Sequence, residues 1–215
     1  MILFIDTEIS GFPKNGAGLE DPTQARILEI ACILTDEQGK VISTLDTLVK
    51  CGDIVLREGL PHDITVKDCN EKGVCQEGFI LSLKYYFSMA DIVVAHNIDF
   101  DLKMLALYFE KLGEPKNEIF CTMKAMTDIL KIPNKFNNGY KWASLKESAD
   151  YFVLINRDAH RAMADAEMCK DIYFAIQNMN DFGQIAKMMG ADKLTIRLPE
   201  CEKMTTTQEV LGVKI

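Results

Sequence analysis

Two acidic residues lie directly after an apolar run at the start of the chain. The stretch "MILFIDTEISGF" places Asp6 and Glu8 after the buried-strand pattern of residues 2–5. Alternate residues of a strand share a face, so we expect the two carboxylates to lie side by side at the strand end. Close carboxylates repel unless a proton or a cation lies between them. The pair therefore indicates a cation site.

Two more acids occur on the apolar faces of predicted helices. Asp101 and Asp165 each precede apolar residues at offsets of +3, +4, +7 and +11 along the chain. Acids in a first helical turn are common, since the helix dipole stabilises them by roughly 0.3–1 kcal/mol. An acid on the apolar face is different, because burial of an unpaired carboxylate is unfavourable. Each of the two therefore needs a partner.

Together the four acids would form a strongly negative pocket. Asp6, Glu8, Asp101 and Asp165 carry a formal charge of -4, which two divalent cations would balance. A ligand set made only of oxygen atoms suits Mg²⁺ or Mn²⁺ better than a structural zinc ion. We therefore predict a site for two such ions, although spacing along the chain does not by itself bring the four acids together.

The elements that must position these acids alternate along the chain. We expect strands over residues 2–6, 91–96 and 118–122, and a hairpin over 26–49 that turns near "DEQGK". Helices are expected over 80–90, 100–113, 144–151, 162–179 and 181–189, with Asp99 as the N-cap of the second. Three antiparallel strands followed by β-α-β units predict an α/β fold, a mixed sheet with helices packed on it. Functional groups of such sheets gather at strand ends.

Composition narrows the class of protein. The 215 residues, 48% of them apolar, predict an ordinary globular domain, and seven cysteines without a Cys-x-x-Cys pair indicate reduced thiols. Lys84 and Asp91 interrupt the most apolar region, and the initial apolar run is too short for a signal peptide. We therefore expect a cytoplasmic protein with no membrane partner.

Charge is distributed unevenly along the chain. The net charge of -8 argues against passive attraction of a polyanion, yet residues 124–146 contain five lysines and a single acid, Asp128. Phe136, Tyr140 and Trp142 are interleaved with those lysines. Lysines with aromatic side chains can bind a nucleic-acid single strand. For Tyr140 and Trp142, packing into the core is the favoured interpretation.

Three short motifs resemble those of the DEDDh 3′–5′ exonucleases, the DnaQ-like family that includes the proofreading subunit of bacterial DNA polymerase III. They are "FIDTE", "HNIDFD" and "HRAMADAE", within a resemblance that covers roughly residues 1–180. The motif positions are Asp6, Glu8, Asn97, Phe100, Asp101, His160 and Asp165. Each motif is weak alone, but three in the family's order are a specific signal.

The resemblance implies a ribonuclease H-like fold, with a mixed five-stranded sheet flanked by helices. It also implies two-metal release of nucleoside 5′-monophosphates from a 3′ end. Asp6, Glu8 and Asp165 would bind one ion, Asp6 and Asp101 the second, and His160 would be the general base.

Substrate contacts are also implied by the resemblance. Thr7, Gly11 and Phe12 would bind the terminal nucleotide, and Asn97 would orient the Asp101 loop or contact substrate. The chain departs from the family where Ile9–Phe12 replace a Thr-Thr-Gly-Leu-like run, and where Asp63 replaces a glycine.

Several interpretations stay open at this point. We expect an exonuclease domain over residues 1–189 and a C-terminal extension of unknown role over 190–215. The favoured function is a 3′–5′ exonuclease acting on single-stranded DNA or RNA. Proofreading is one specific form of this function, and a polymerase subunit would then be a partner. The alternatives are a module that binds nucleic-acid ends with little activity, and unrelated structural acids.

Overall fold

The computed structural model describes residues 1–21, 23–108, 116–136, 138–155 and 160–188, with side chains as far as Met179. Five strands form one mixed sheet in the order β3-β2-β1-β4-β5. The strands are β1 (Ile2–Ile9), β2 (Ile27–Thr35), β3 (Val41–Leu48), β4 (Ile92–Ala95) and β5 (Glu118–Cys121). β1, β2 and β3 pair antiparallel, whereas β1, β4 and β5 run parallel. The predicted strand arrangement is confirmed.

Six helices accompany this sheet in the described part of the chain. They are α1 (Val66–Lys72), α2 (Gln76–Met89), α3 (Ile98–Ala106), α4 (Thr122–Leu130), α5 (Leu145–Tyr151) and α6 (Ala162–Met188). The expected break near residue 180 is wrong, because α6 is continuous and the Asn-Asp pair there does not interrupt a helix as proline would. The predicted stop at Gly113 lies outside the described residues.

Two helices were not predicted, and one predicted cap is wrong. α1 begins after Thr65, whose hydroxyl accepts a hydrogen bond from the Asp68 backbone N–H at 3.0 Å. α4 follows β5 without an intervening loop. The N-cap of α3 is Asn97, so Asp99 lies in the first turn, where it pairs with Lys124 at 2.6 Å.

Alternation along β1 divides its side chains between the two faces of the sheet. Leu3 and Ile5 pack in the cluster formed with α2 and α3, and Phe4 packs in the cluster formed with α6. Asp6 and Glu8 continue the Phe4 face, whereas Thr7 continues the Ile5 face. β4 pairs only with residues 2–4 of β1, so the acidic end of β1 extends past it.

The contacts divide the chain into two units, Met1–Ile176 and Gln177–Ile215. The first contains all five strands, and the boundary expected at residue 190 lies outside the described part of the chain. All six cysteines within the described residues are free thiols. None of the helices described is both long and apolar enough to span a membrane.

Candidate active site

Three carboxylates meet at the carboxyl edge of β1. Asp6 and Glu8 come from one face of the strand, and Asp165 from the first turn of α6, which packs on that face. One oxygen atom from each residue lies within 4.8 Å of the others. The structure thus brings together three of the four predicted acids from positions far apart in the sequence.

The protonation of these acids reflects their crowding. Burial, followed by the charges of Asp101 and Asp165, raises the pKa of Asp6 well above its usual range. Burial and the Asp165 charge raise the pKa of Glu8 to about 7, and burial also raises the pKa of Asp165. Burial and mutual repulsion thus disfavour the charged form of these acids, and a divalent cation bound by their oxygen atoms would supply the balancing charge.

The fourth acid approaches from the opposite face of the sheet. Asp101 is 3% exposed, and its Oδ1 accepts a hydrogen bond from the Thr7 hydroxyl at 2.8 Å. Burial raises the pKa of Asp101 to about 7, although hydrogen bonds from Thr7 act in the opposite direction. Because the Asp101 charge also raises the pKa of Asp6, the two acids are electrostatic neighbours. Thr7 therefore positions Asp101 beside the three-carboxylate cluster.

A fifth acid, Glu29, was missed by the sequence analysis. It lies on β2 directly opposite Glu8, is 1% exposed, and accepts from Arg161 Nε at 3.1 Å and from the Ala162 backbone N–H at 3.0 Å. These bonds fasten the start of α6 to β2, and so fix the helical turn that carries Asp165. The available signal was an acid within the apolar strand "ILEIACIL", which requires a buried partner.

His160 precedes this fastened helix. Its backbone N–H donates to Asp165 Oδ2 at 3.3 Å, its φ is 72°, and its side chain is exposed. A positive φ is uncommon outside glycine, and here it occurs between the His160–Asp165 and Arg161–Glu29 contacts. His160 is therefore tethered through its backbone to one of the three clustered acids.

The other histidine beside a motif, His96, is bound within the fold, which agrees with the structural role predicted for it. The ring nitrogens of His96 lie 3.0 Å from the Thr122 hydroxyl and 3.0 Å from the Ala143 carbonyl. Burial lowers the pKa of His96 to about 4, so its ring is neutral at physiological pH. Asn97, the next residue, has a φ of 80° and makes no side-chain cap to α3, so its amide is not engaged by that helix.

Two of the four predicted substrate contacts, Gly11 and Phe12, lie just beyond the end of β1, whereas Thr7 lies within β1 and Asn97 precedes α3. Phe12 is 59% exposed, its ring packs edge-on against Phe100 with centroids 6.2 Å apart, and the Arg57 guanidinium lies 4.4 Å from its centroid. Gly11 is buried, and a Cβ there would lie 3.4 Å from the Arg57 side chain. Asp63, which replaces a glycine of the family pattern, is close enough to Arg161 to interact with it electrostatically.

The fold and the acid cluster define the class of protein: a ribonuclease H-like exonuclease domain. Residues 3–173 match the model of the RNase T exonuclease family, so the chain belongs to that family, and its motifs are those of the DEDDh, DnaQ-like group. Divalent-metal dependence is general in this family. The DNA polymerase III subunit epsilon of Aquifex aeolicus (strain VF5) is 27% identical over 179 residues, which are 80% of this chain and 78% of that relative.

Solved structures of exonuclease I share the fold. The E. coli enzyme in complex with a dA16 oligonucleotide superposes with a TM-score of 0.64 at 19% identity, and its complex with dT13 with a TM-score of 0.67 at 18% identity. These matches cover 80% and 84% of this chain, but only 39% and 42% of exonuclease I. The predicted α/β, ribonuclease H-like, five-stranded sheet is thereby confirmed.

Proposed function

We propose that this chain is a metal-dependent 3′–5′ exonuclease that releases nucleoside 5′-monophosphates from the 3′ end of single-stranded DNA or RNA. The observation that carries the proposal is the meeting of Asp6, Glu8 and Asp165 within 4.8 Å, beside the buried Asp101. Membership of the exonuclease family supports the reaction class.

The four acids would hold two divalent ions, Mg²⁺ or Mn²⁺. Asp6, Glu8 and Asp165 provide the first set of oxygen atoms, and Asp6 with Asp101 the second. When bound, such ions lower the pKa of a coordinated water and offset negative charge on a leaving oxygen. The raised pKa values of these acids support the assignment, because cations would take the place of the protons that the crowded carboxylates retain.

Protein side chains would supply the remaining functions. His160 is exposed and tethered to Asp165, which suits a general base that removes a proton from the attacking water. Thr7 would act by positioning Asp101 through its 2.8 Å hydrogen bond. Phe12 would stack on the terminal base, with Gly11 and the unengaged amide of Asn97 contacting the same nucleotide.

A role in proofreading, with a polymerase subunit as partner, is the specific variant we favour. Its support is the relative named as a DNA polymerase III subunit. The test is removal of a mismatched 3′ nucleotide from a primer–template in preference to a matched one. Equal rates for the two ends would restrict the proposal to general shortening of single strands.

The decisive experiment offers single-stranded DNA and RNA oligonucleotides, labelled at the 5′ end, with Mg²⁺, Mn²⁺ or a chelator. We expect stepwise shortening from the 3′ end, abolished by the chelator and reduced about 100-fold or more in Asp6→Asn and His160→Ala. Asp99→Asn is the matched control, because Asp99 lies in the same motif as Asp101 but is exposed and paired with Lys124.

Two results would contradict the proposal. Shortening that persists in both active-site variants would exclude this site as its source. Tight binding of 3′ ends without shortening of either polymer, by folded and metal-loaded protein, would support the alternative of an end-binding module.

A further inference from the structure

The segment that follows α4 exposes three aromatic side chains. Phe136 is 96% exposed, Tyr140 is 50% exposed and Trp142 is 62% exposed. The expectation that Tyr140 and Trp142 pack into the core is therefore wrong. Burial of a large aromatic ring is energetically favourable, so three exposed rings in one segment indicate a surface that a binding partner covers.

These rings are carried on a hairpin, formed by residues 132–136 and 138–142, which we term the aromatic hairpin. The Asn134 N–H donates to the Gly139 carbonyl at 2.8 Å, and the Lys141 N–H to the Ile132 carbonyl at 3.0 Å. Alternate residues of an extended segment share a side, which places Tyr140 and Trp142 together. The hairpin thus presents Tyr140 and Trp142 as neighbouring aromatic surfaces.

The base of the aromatic hairpin is fixed at the edge of the sheet that carries the acids. Ala143, the residue after Trp142, is 2% exposed, and its backbone N–H donates to the Thr127 hydroxyl at 2.9 Å. Its carbonyl lies 3.0 Å from His96, which follows the carboxyl end of β4 and leads through Asn97 into the helix of Asp101. The hairpin therefore starts beside the candidate active site.

The charge of the segment identifies the chemistry of its partner. Residues 131–142 contain three lysines and no acid, in a chain whose net charge is -8. Lys141 pairs with Glu147 at 2.5 Å, whereas no carboxylate of the described residues pairs with Lys131 or Lys135. A positive segment that also presents aromatic rings complements a polyanion with exposed bases.

We propose that the aromatic hairpin binds single-stranded nucleic acid on the 5′ side of the nucleotide held at the carboxylate cluster. Bases stack on Phe136, Tyr140 and Trp142, and Lys131 and Lys135 contact the backbone phosphates. Stacking needs unpaired bases, so the site selects single strands over duplexes. This inference rests on the proposed function, since the bound strand is the one whose 3′ end enters the active site.

Trp142 provides a direct test, because it is the only tryptophan in the chain. We would titrate the intact protein, in chelator, with a DNA homopolymer of about 15 nucleotides and follow Trp142 fluorescence. We expect saturable quenching, and a dissociation constant at least about 5-fold weaker in the double variant F136A/Y140A. Tyr85→Ala is the matched control, since Tyr85 is 54% exposed but lies on α2, and it should bind as the wild type does.

The charge is tested separately by salt. Lys135→Gln should lower the slope of log affinity against log salt concentration by about 0.7, whereas Lys40→Gln, in the β2–β3 turn, should not. In the presence of metal, F136A/Y140A should raise KM for the long oligonucleotide and leave cleavage of a dinucleotide unchanged.

The outcomes separate this proposal from the proposed function. Shortening of the long oligonucleotide by wild type, without quenching of Trp142, would overturn the aromatic-hairpin site in favour of a protein partner and leave the nuclease intact. Equal competition by blunt duplex would overturn stacking as its basis. Quenching without any shortening in metal would overturn the nuclease while leaving the binding site standing.

Discussion

Replacing Glu8 by glutamine should stabilise the metal-free protein at alkaline pH. Burial, with the charges of Asp165 and Glu29, raises the pKa of Glu8 from 4.5 to about 7. The folded state therefore binds a proton that the unfolded chain has already released, and the carboxyl destabilises the fold increasingly as pH rises from about 4.5 to about 7. At about 1.4 kcal/mol per pKa unit, the Glu8 carboxyl lowers the free energy of unfolding by about 3 kcal/mol at pH 8 and by less than about 1 kcal/mol at pH 5.

The assay is urea unfolding in chelator at about pH 5 and about pH 8, read as the difference in unfolding free energy between Glu8→Gln and wild type. The difference between the two proteins must be used because the lowered pKa of His96 makes the stability of both rise with pH below about 6.5. This rise opposes the effect of Glu8 and cancels in the difference. Glu71→Gln is the control, since Glu71 is exposed on α1 and should change little at either pH. Excess Mn²⁺ should narrow this difference, because at 100 times its dissociation constant it stabilises wild type by about 2.7 kcal/mol and the variant by less.

An unchanged stability of Glu8→Gln would contradict this prediction. If Glu8→Gln were no more stable than wild type at about pH 8 in chelator, Glu8 would not be crowded by the neighbouring acids. The three-carboxylate cluster would then not assemble in the metal-free protein, and the main structural support for the exonuclease function would be lost.

Three further predictions concern the surroundings of the cluster. Thr7→Val should destabilise the protein by about 1–3 kcal/mol in urea unfolding, because it removes the hydrogen-bond donor to buried Asp101. Thr35→Val is the control and should not destabilise it, since the buried Thr35 hydroxyl has no partner among the described residues. Arg161→Ala should lower the free energy of unfolding by about 3 kcal/mol in the same assay, because it leaves buried Glu29 without a charged partner. The double variant E29Q/R161Q should lose less, and equal losses would contradict the pairing. The ring protons of His96 should show no NMR titration between about pH 5 and pH 8, and a midpoint near 6.5 would show that the ring is not buried.

The mixed sheet and the four acids Asp6, Glu8, Asp101 and Asp165 could be predicted from the amino-acid sequence. Alternation of apolar residues is a local pattern, so β1, the β2–β3 hairpin and the inward face of Asp165 could be predicted from short stretches. The three motifs also identified the family, because their residue types and order are properties of the chain alone.

How the acids are held, and which side chains remain exposed, could not be predicted from the sequence. Asp101 is positioned by Thr7 from the opposite face of the sheet, and Glu29 is paired with Arg161 from 132 positions away. Whether Trp142 is buried depends on which elements cover it, and nothing in its local sequence distinguishes a packed ring from one that projects on a hairpin. Pairings between distant residues are set by the packing of α3 and α6 on the sheet, which local periodicity does not encode.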